Sequence, residues 1–334
     1  MTPAFRDFSR QVFTSVRTPA PGRGKENLSK ALLAIKEGAV RLSYGHGGQL
    51  SILVPVSEKA YRVFRPDTRG QAIKVTPVRV EGTPYIRVRL ELPRFEETYM
   101  QFTDALLRDL QDADGPSQTV ILSAIQDWRN MLLLSAPTGE IPVQEEIGIL
   151  CELEVLRNLI RKDGPTVLRR WTGPEKSRHD FELDGVSIEC KATTAANGLP
   201  IGIHGAEQLT GIPGKRLDLA VRRYIPDPDG PISIPILRDS ICAIPGIDTR
   251  RFLASLSGLG VPMADFDESG ESLFRNYSPG EAVEFVVSEG FPRLLGIGTT
   301  GRIQQVSYVI DLSDPGSIAG HRTDNLYLNP TGAS

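Results

Sequence analysis

The sequence predicts a mixed α/β protein of several structural units, and three observations predict it. Strand-type alternation broken by glycine and proline runs through residues 51–92. Two helical periodicities follow. From residue 144 a helix then leads into a hairpin and a further strand. A chain of 334 residues is longer than one small core requires, so two or three units are expected.

In chain order, SILVPV (51–56), AIKVTPVRV (72–80) and YIRVRLEL (85–92) read as strands. The last places Ile86, Val88, Leu90 and Leu92 on one face, and Arg87, Arg89 and Glu91 on the other. Residues 95–113 and 117–134 read as helices, and SAPTGEIPV (135–143) as a linker. The second stretch reads as helix (144–162), basic loop, hairpin (180–191), strand (199–203), then helix or turn (205–211). The third has strand-like character at 232–237, a helix near 249–257, a Gly/Asp-rich loop, a strand at 305–311 and a loop-like tail after 313. The expected domains are 1–140, an N-terminal α+β domain; 141–235, a core; and 236–334, a C-terminal α/β extension packing on that core.

Composition excludes several classes. Hydrophobic residues make up 40% and charged residues 24%, as in ordinary globular chains. No apolar run approaches the roughly 18 residues that span a bilayer, and MTPAFRDFSRQVFTSVR lacks the apolar stretch of a secretory signal. Cys151, Cys190 and Cys242 are odd in number and widely spaced, which fits neither a disulfide framework nor a zinc ribbon. A reducing, cytoplasmic setting is expected. The net charge of −3 does not mark a nucleic-acid binder, but Arg157–Arg178 holds seven basic residues against two acidic ones. Such a stretch is either a phosphate-contacting surface or a solvated helix end and loop.

The residues that carry chemistry lie in His179-Asp180-Phe181-Glu182-Leu183-Asp184-Gly185-Val186-Ser187-Ile188-Glu189-Cys190-Lys191. Asp184-Gly185 is a two-residue hairpin signal of the type I′ kind, in which both positions need positive φ. That turn sets Leu183 opposite Val186, Glu182 opposite Ser187, Phe181 opposite Ile188 and Asp180 opposite Glu189. Phe181, Leu183, Val186, Ile188 and Cys190 then share an apolar face, and Asp180, Glu189 and Lys191 the other. Two carboxylates directly opposite each other destabilise a sheet. A divalent cation between them turns repulsion into coordination, and oxygen ligands suit Mg²⁺ or Mn²⁺. Lys191, on the same face, is placed to orient a water or stabilise developing charge. The inference depends on register, since a one-residue slip moves Asp180 off that face.

In the preceding helix Ile149, Leu153, Leu156 and Ile160 form an apolar stripe. Glu145 and Glu152 flank it, and Glu154 is expected on the far side. Seven residues span about 10.5 Å of helix, so at most one of Glu145 and Glu152 reaches a given metal. Glu152 is the candidate, against its reading as an ordinary flank residue.

These residues resemble a known pattern. Asp180 followed by Glu189-Cys190-Lys191 is similar to the D…(D/E)XK signature of restriction-endonuclease-like nucleases. The helix glutamate in Gly148-Ile149-Leu150-Cys151-Glu152-Leu153 resembles their first motif. Ile201-Gly202-Ile203-His204 with Glu207-Gln208-Leu209 resembles their third strand and post-strand glutamine. More narrowly, GIxxELxxL, the Trp171-Thr172-Gly173-Pro174 turn, His179-Asp180-Phe181, Gln208-Leu209 and Phe291-Pro292-Arg293-Leu294 resemble the bacterial PD-(D/E)XK motif proteins of restriction and phage-defence gene clusters. His179 stands where the signature has proline.

The resemblance implies an αβββαβ core with a mixed central sheet. It implies phosphodiester hydrolysis in DNA by an endonuclease with Mg²⁺ or Mn²⁺ held by Asp180, Glu189 and Glu152. Glu152 would complete the site or hold a water of the metal, with Lys191 and Gln208 in catalytic roles. It also implies a defence setting with ATPase, helicase or methyltransferase partners and, by analogy with type II enzymes, a homodimer. No membrane partner is expected.

Other readings stay beside these. Gln208 orients a ligand or contacts DNA, or it caps the following turn. Trp171 is read as packing, with base stacking as the sharper alternative, and His179 and His204 as structural or solvent-facing. Lys215, Arg216, Arg222 and Arg223 contact phosphates or form a solvated face. Gly211-Ile212-Pro213-Gly214-Lys215-Arg216 and Gly22-Arg23-Gly24-Lys25-Glu26 lack the spacing and hydroxyl of a phosphate loop. A non-catalytic binding or assembly subunit and an RNase using the same site are the rival functions.

Overall fold

The computed structural model describes residues 8–18, 26–66, 72–134, 141–175, 177–205, 207–267, 269–294, 306–313, 318–323 and 327–328, with side chains of 129–134 left aside. The expectations for 135–140, Lys176, Gly22–Lys25 and most of the tail after 313 lie outside them. By contacts the chain divides into two units, 1–138 with 248–273 and 139–247 with 274–334. The residues of the expected C-terminal extension are shared between the two.

In the first unit, α1 (Phe8–Arg17) is followed by β1 (Glu26–Leu28), β2 (Leu33–Ile35), β3 (Gly38–Gly45), β4 (Leu50–Pro55), α2 (Glu58–Val63), β5 (Ile73–Val80), β6 (Thr83–Leu90), α3 (Glu96–Asp112) and α4 (Ser117–Leu134). The strands form an antiparallel sheet in the order β1-β3-β4-β6-β5, with β2 also on β3. The alternation expected in 85–92 is realised: Ile86, Val88 and Leu90 are buried. The run Leu50–Pro55, apolar apart from Ser51, is buried at every position, as a strand covered on both faces should be. Tyr99 on α3 ties two strands together, donating to the Val88 carbonyl at 2.7 Å and accepting from Ile52 N at 3.0 Å. A helix at Thr249–Gly258, where one was expected, also belongs to this unit.

The second unit carries α5 (Val143–Asp163), β7 (Phe181–Glu182), β8 (Val186–Thr193), β9 (Pro200–His204), β10 (Arg216–Pro226), α6 (Ile234–Cys242), β11 (Tyr277–Val286) and β12 (Ser307–Asp311). A four-stranded sheet runs β11-β10-β8-β7, and it is mixed: β8 and β10 are parallel, the other neighbours antiparallel. The segment that resembles a third core strand, β9, pairs with β12 in a two-stranded sheet. Alternation along β10 separates two environments. Leu217, Leu219 and Val221 join Ile201, Ile203, Phe285 and Ile310 in an apolar cluster. Ala220 and Tyr224 turn to α5, where the Ala220 carbonyl meets the Cys151 thiol at 3.9 Å and the Tyr224 hydroxyl donates to Glu154 at 2.7 Å.

Three local expectations are corrected, and one is narrowed. Residues 232–237 are not a strand: Pro235 presets helical φ at the start of α6, and Ile234, Leu237 and Ile241 bury one helical stripe. Of the helix or turn expected at 205–211, the described positions form the turn. Only Gly185 of the Asp184-Gly185 pair has positive φ, so the hairpin turn is not type I′, whereas Glu81-Gly82 between β5 and β6 has it at both positions. Glu154 is not turned away to solvent but is 4% exposed, because α5 is covered on most of its circumference.

Candidate active site

The hairpin register is the expected one, Phe181 opposite Ile188 and Glu182 opposite Ser187. It fixes which side chains of β8 face which way. Ile188 and Cys190 pair with Asp218 and Ala220 on the face toward α5, while Glu189 and Lys191 pair with Leu219 and Val221 on the other. Asp180 stands one residue before β7, and its carboxylate takes the place of a ladder partner: Oδ2 accepts from Cys190 N at 2.7 Å. The acid is thereby anchored to the backbone between Glu189 and Lys191.

Lys191 Nζ donates to Glu189 Oε1 at 2.6 Å and to Gln208 Oε1 at 3.1 Å. The same Gln208 oxygen accepts from His204 N at 2.9 Å. Gln208 therefore ties the end of β9 to the lysine. His204 itself is exposed. His179 is buried, with Nδ1 3.0 Å from Glu182 Oε1, so its structural reading holds.

Glu152 on α5 reaches the same place. Trp171 Nε1 donates to its Oε2 at 2.7 Å. A Cβ built on Gly173 would overlap Glu152 Oε2 and come within 3.3 Å of Asp180 Oδ1, so the two carboxylates flank that glycine. Sequence reading placed Trp171 in packing, which its 3% exposure supports, and missed its bond to an acid. The usable signal was chemical, since a buried indole N–H seeks an acceptor. Gly173 had no signal of its own beyond the turn it belongs to.

The four cations set aside as phosphate contacts or a solvated face are engaged within the unit. Lys215 pairs with Glu182 at 2.7 Å and Arg216 with Asp218 at 2.6 Å. Arg222, 5% exposed, faces Glu154 at 3.2 Å. Arg223 donates to the carbonyls of Ala195 and Gly198.

Electrostatically the cluster is short of positive charge. Among the described residues Glu152, Asp180 and Glu189 face a single ammonium, Lys191. Burial, then the Asp180 charge, pushes the Glu189 carboxyl up to about 8, with Lys191 opposing. Burial and the Asp180 charge also hold Glu152 well above the carboxylate range, against the Trp171 hydrogen bond. Burial raises Asp180, with Lys191 and the Cys190 N–H opposing. Burial works to lower Lys191, but the charges of Glu189 and Asp180 outweigh it and raise its pKa. Fully ionised, the described group carries two unbalanced negative charges in a largely buried place, which suits a divalent cation.

Among the described residues no three His, Cys, Asp or Glu side chains converge into a metal cage by themselves. Each acid has a protein partner on one oxygen: Trp171 on Glu152, Cys190 N on Asp180 and Lys191 on Glu189. Mg²⁺ usually takes one or two carboxylates and completes its octahedron with water and substrate oxygens. Among the described residues Asp180 Oδ1 and Glu189 Oε2 accept no protein hydrogen bond. The donor set fits such an ion.

Residues 15–313 match the family described as "Putative PD-(D/E)XK family member, (DUF4420)". The chain belongs to that family. No curated protein and no solved structure matches the chain. The family match covers most of the described residues of both units, including the N-terminal antiparallel sheet and the mixed sheet that bears Glu189 and Lys191. Among the described residues no helix is long and apolar enough to cross a membrane.

Proposed function

We propose that this PD-(D/E)XK family member is a metal-dependent nuclease, an endonuclease acting on DNA in a bacterial restriction or anti-phage setting. The observation that carries the reading is the gathering of Glu152, Asp180 and Glu189 around one lysine in a largely buried site. A fold gains no stability from such a group, and families retain such pKa conflicts chiefly where chemistry is done. In this reading α5, β7, β8 and β9 are the start of the αβββαβ core that the resemblance implies.

Asp180 and Glu189 would hold the ion, Mg²⁺ or Mn²⁺, with Glu152 completing the site. When bound, a divalent cation supplies positive charge at the scissile phosphate and makes water more acidic. Lys191, held by Glu189 and Gln208, keeps its proton and orients the attacking water or balances charge on the phosphate in the transition state. Gln208 fixes the direction of the ammonium. The basic residues of the 157–178 stretch offer phosphate contacts outside the cluster, which predicts weaker binding as salt rises. DNA is the first substrate to try, with a homodimer and partner ATPase, helicase or methyltransferase subunits as the assemblies to look for.

The test is cleavage of supercoiled plasmid, single-stranded DNA and RNA with Mg²⁺ or Mn²⁺, beside Lys191→Ala and Asp180→Ala. Metal-dependent cutting lost in both variants supports the reading, and the polymer cut decides between DNase and RNase. Cutting that survives both substitutions overturns the site. A protein that binds DNA but never cuts, with or without metal, points to the binding-subunit alternative.

A further inference from the structure

Glu152 is the one acid of the cluster that comes from a helix, and three side-chain torsions separate its carboxylate from the backbone of α5. Asp180 and Glu189 are set by the hairpin register, but nothing in α5 itself directs Glu152 toward them. The direction comes from the Trp171-Thr172-Gly173 turn. The Trp171 N–H is a donor with no acceptor capacity, and at 2.7 Å it fixes one carboxylate oxygen, Oε2. Thr172 N and Gly173 N both donate to the Asp180 carbonyl, at 2.8 and 3.1 Å. Trp171 is also bridged to Phe181, the residue after Asp180. One short turn therefore grips Glu152 through an indole and Asp180 through its backbone. Gly173 leaves the space beside both carboxylates open, since a Cβ there would overlap Glu152 Oε2.

We propose that Trp171 is a positioning residue of the active site: with Gly173 keeping the space clear, its indole N–H sets Glu152 in a fixed relation to Asp180 so that both act on one ion. This rests on the metal-dependent reading given above. Trp171 acts through Glu152 and does not touch the reacting atoms.

The test uses the full chain and Mn²⁺ binding by calorimetry at one pH, with thermal melts to establish that each variant is folded. Trp171→Phe keeps an aromatic ring and removes the N–H. It weakens Mn²⁺ binding about tenfold, the usual size for loss of a group that orients a ligand. Glu152→Gln weakens it as well, and the double variant binds no more weakly than Glu152→Gln alone, because the indole has no other route to the ion. Gly173→Ala gives a similar loss with the indole intact. A spectroscopic arm uses the chain's two tryptophans: in a Trp128→Phe background Mn²⁺ changes Trp171 emission, and Glu152→Gln removes most of that change.

Additive losses in the double variant, or no effect of Glu152→Gln, overturn the proposal. So does unchanged affinity in both Trp171→Phe and Gly173→Ala. Those outcomes leave the nuclease reading standing if the wild-type protein binds Mn²⁺. A wild-type protein that binds neither Mn²⁺ nor Mg²⁺ removes the metal reading, and this proposal with it.

Discussion

Lys191 Nζ lies 2.6 Å from Glu189 Oε1, two residues away on the same face of one strand, and the two side chains are only 13% and 2% exposed. Each charge depends on the other. Lys191→Met keeps the volume and removes the cation. A buried charge left without its partner costs on the order of 3–5 kcal/mol, unless it takes a proton. The expected outcome is cleavage slower by about 100-fold or more, with a urea-midpoint deficit larger at pH 9 than at pH 6. An equal deficit at the two pH values would show that Glu189 does not feel the lysine.

Glu189 also dictates a pH dependence in the metal-free protein. Its folded-state pKa, about 8, lies above the ordinary 4.5. Between these values the folded protein keeps a proton that the unfolded chain has lost. The Glu189 contribution to stability is therefore complete below about 4.5 and falls away as pH rises to about 8. Denaturation in EDTA across pH 5–9 should show this decline, and Glu189→Gln should flatten it.

Ion binding has the opposite slope. A metal needs the ionised carboxylate and competes with its proton, so Mn²⁺ affinity is expected to climb as pH approaches about 8 and to level off above it. Calorimetry at several pH values checks this. Affinity independent of pH would remove Glu189 from the ligand set.

Gln208 is predicted to matter through aim and not through charge. Its Oε1 receives both Lys191 Nζ and His204 N. Gln208→Ala should lower kcat about 10- to 100-fold, with little change in melting temperature and none in the pH at which the rate levels off.

Glu154 supplies the contrasting case, an acid equally buried but outside the cluster. It receives the Tyr224 hydroxyl at 2.7 Å and faces Arg222 at 3.2 Å. Glu154→Ala strands a buried guanidinium and should cost about 3–5 kcal/mol in urea unfolding, while the rate per folded molecule stays near wild type.

Much of this site was legible because β structure has a period of two. Once Asp184-Gly185 marked the turn, the face shared by Glu189 and Lys191 followed by counting, and Gly185 alone in positive φ was enough to preserve the register. Glu152 was legible as the candidate acid beside the apolar stripe, but helical spacing gives an angle and says nothing about what lies opposite. Trp171 and Gly173 were out of reach for a related reason: they act from an aperiodic turn, and their role appears only when helix and hairpin are brought together. In the fold, strands 50–55, 73–80 and 83–90 were plain from their apolar patterns. The strand Tyr277–Val286 was not, because Pro279 and Gly280 interrupt it where its register shifts against Arg222–Tyr224. Residues 232–237 misled because a proline that opens a helix looks, in sequence, like one that breaks a strand.

The helix that bears Glu152 is fastened at several heights: Glu146 to Arg275 and Tyr277, Glu154 to Tyr224, and Asn158 to the carbonyl of Tyr327. Each added residue turns a helix by about 100° and lengthens it by about 1.5 Å. One codon gained or lost between Glu146 and Glu154 would thus leave one set of fastenings in place and swing the other away. This segment behaves as a ruler of fixed length. Relatives of this gene can vary its letters, but they are expected to keep their number, and length change should gather in the loops instead.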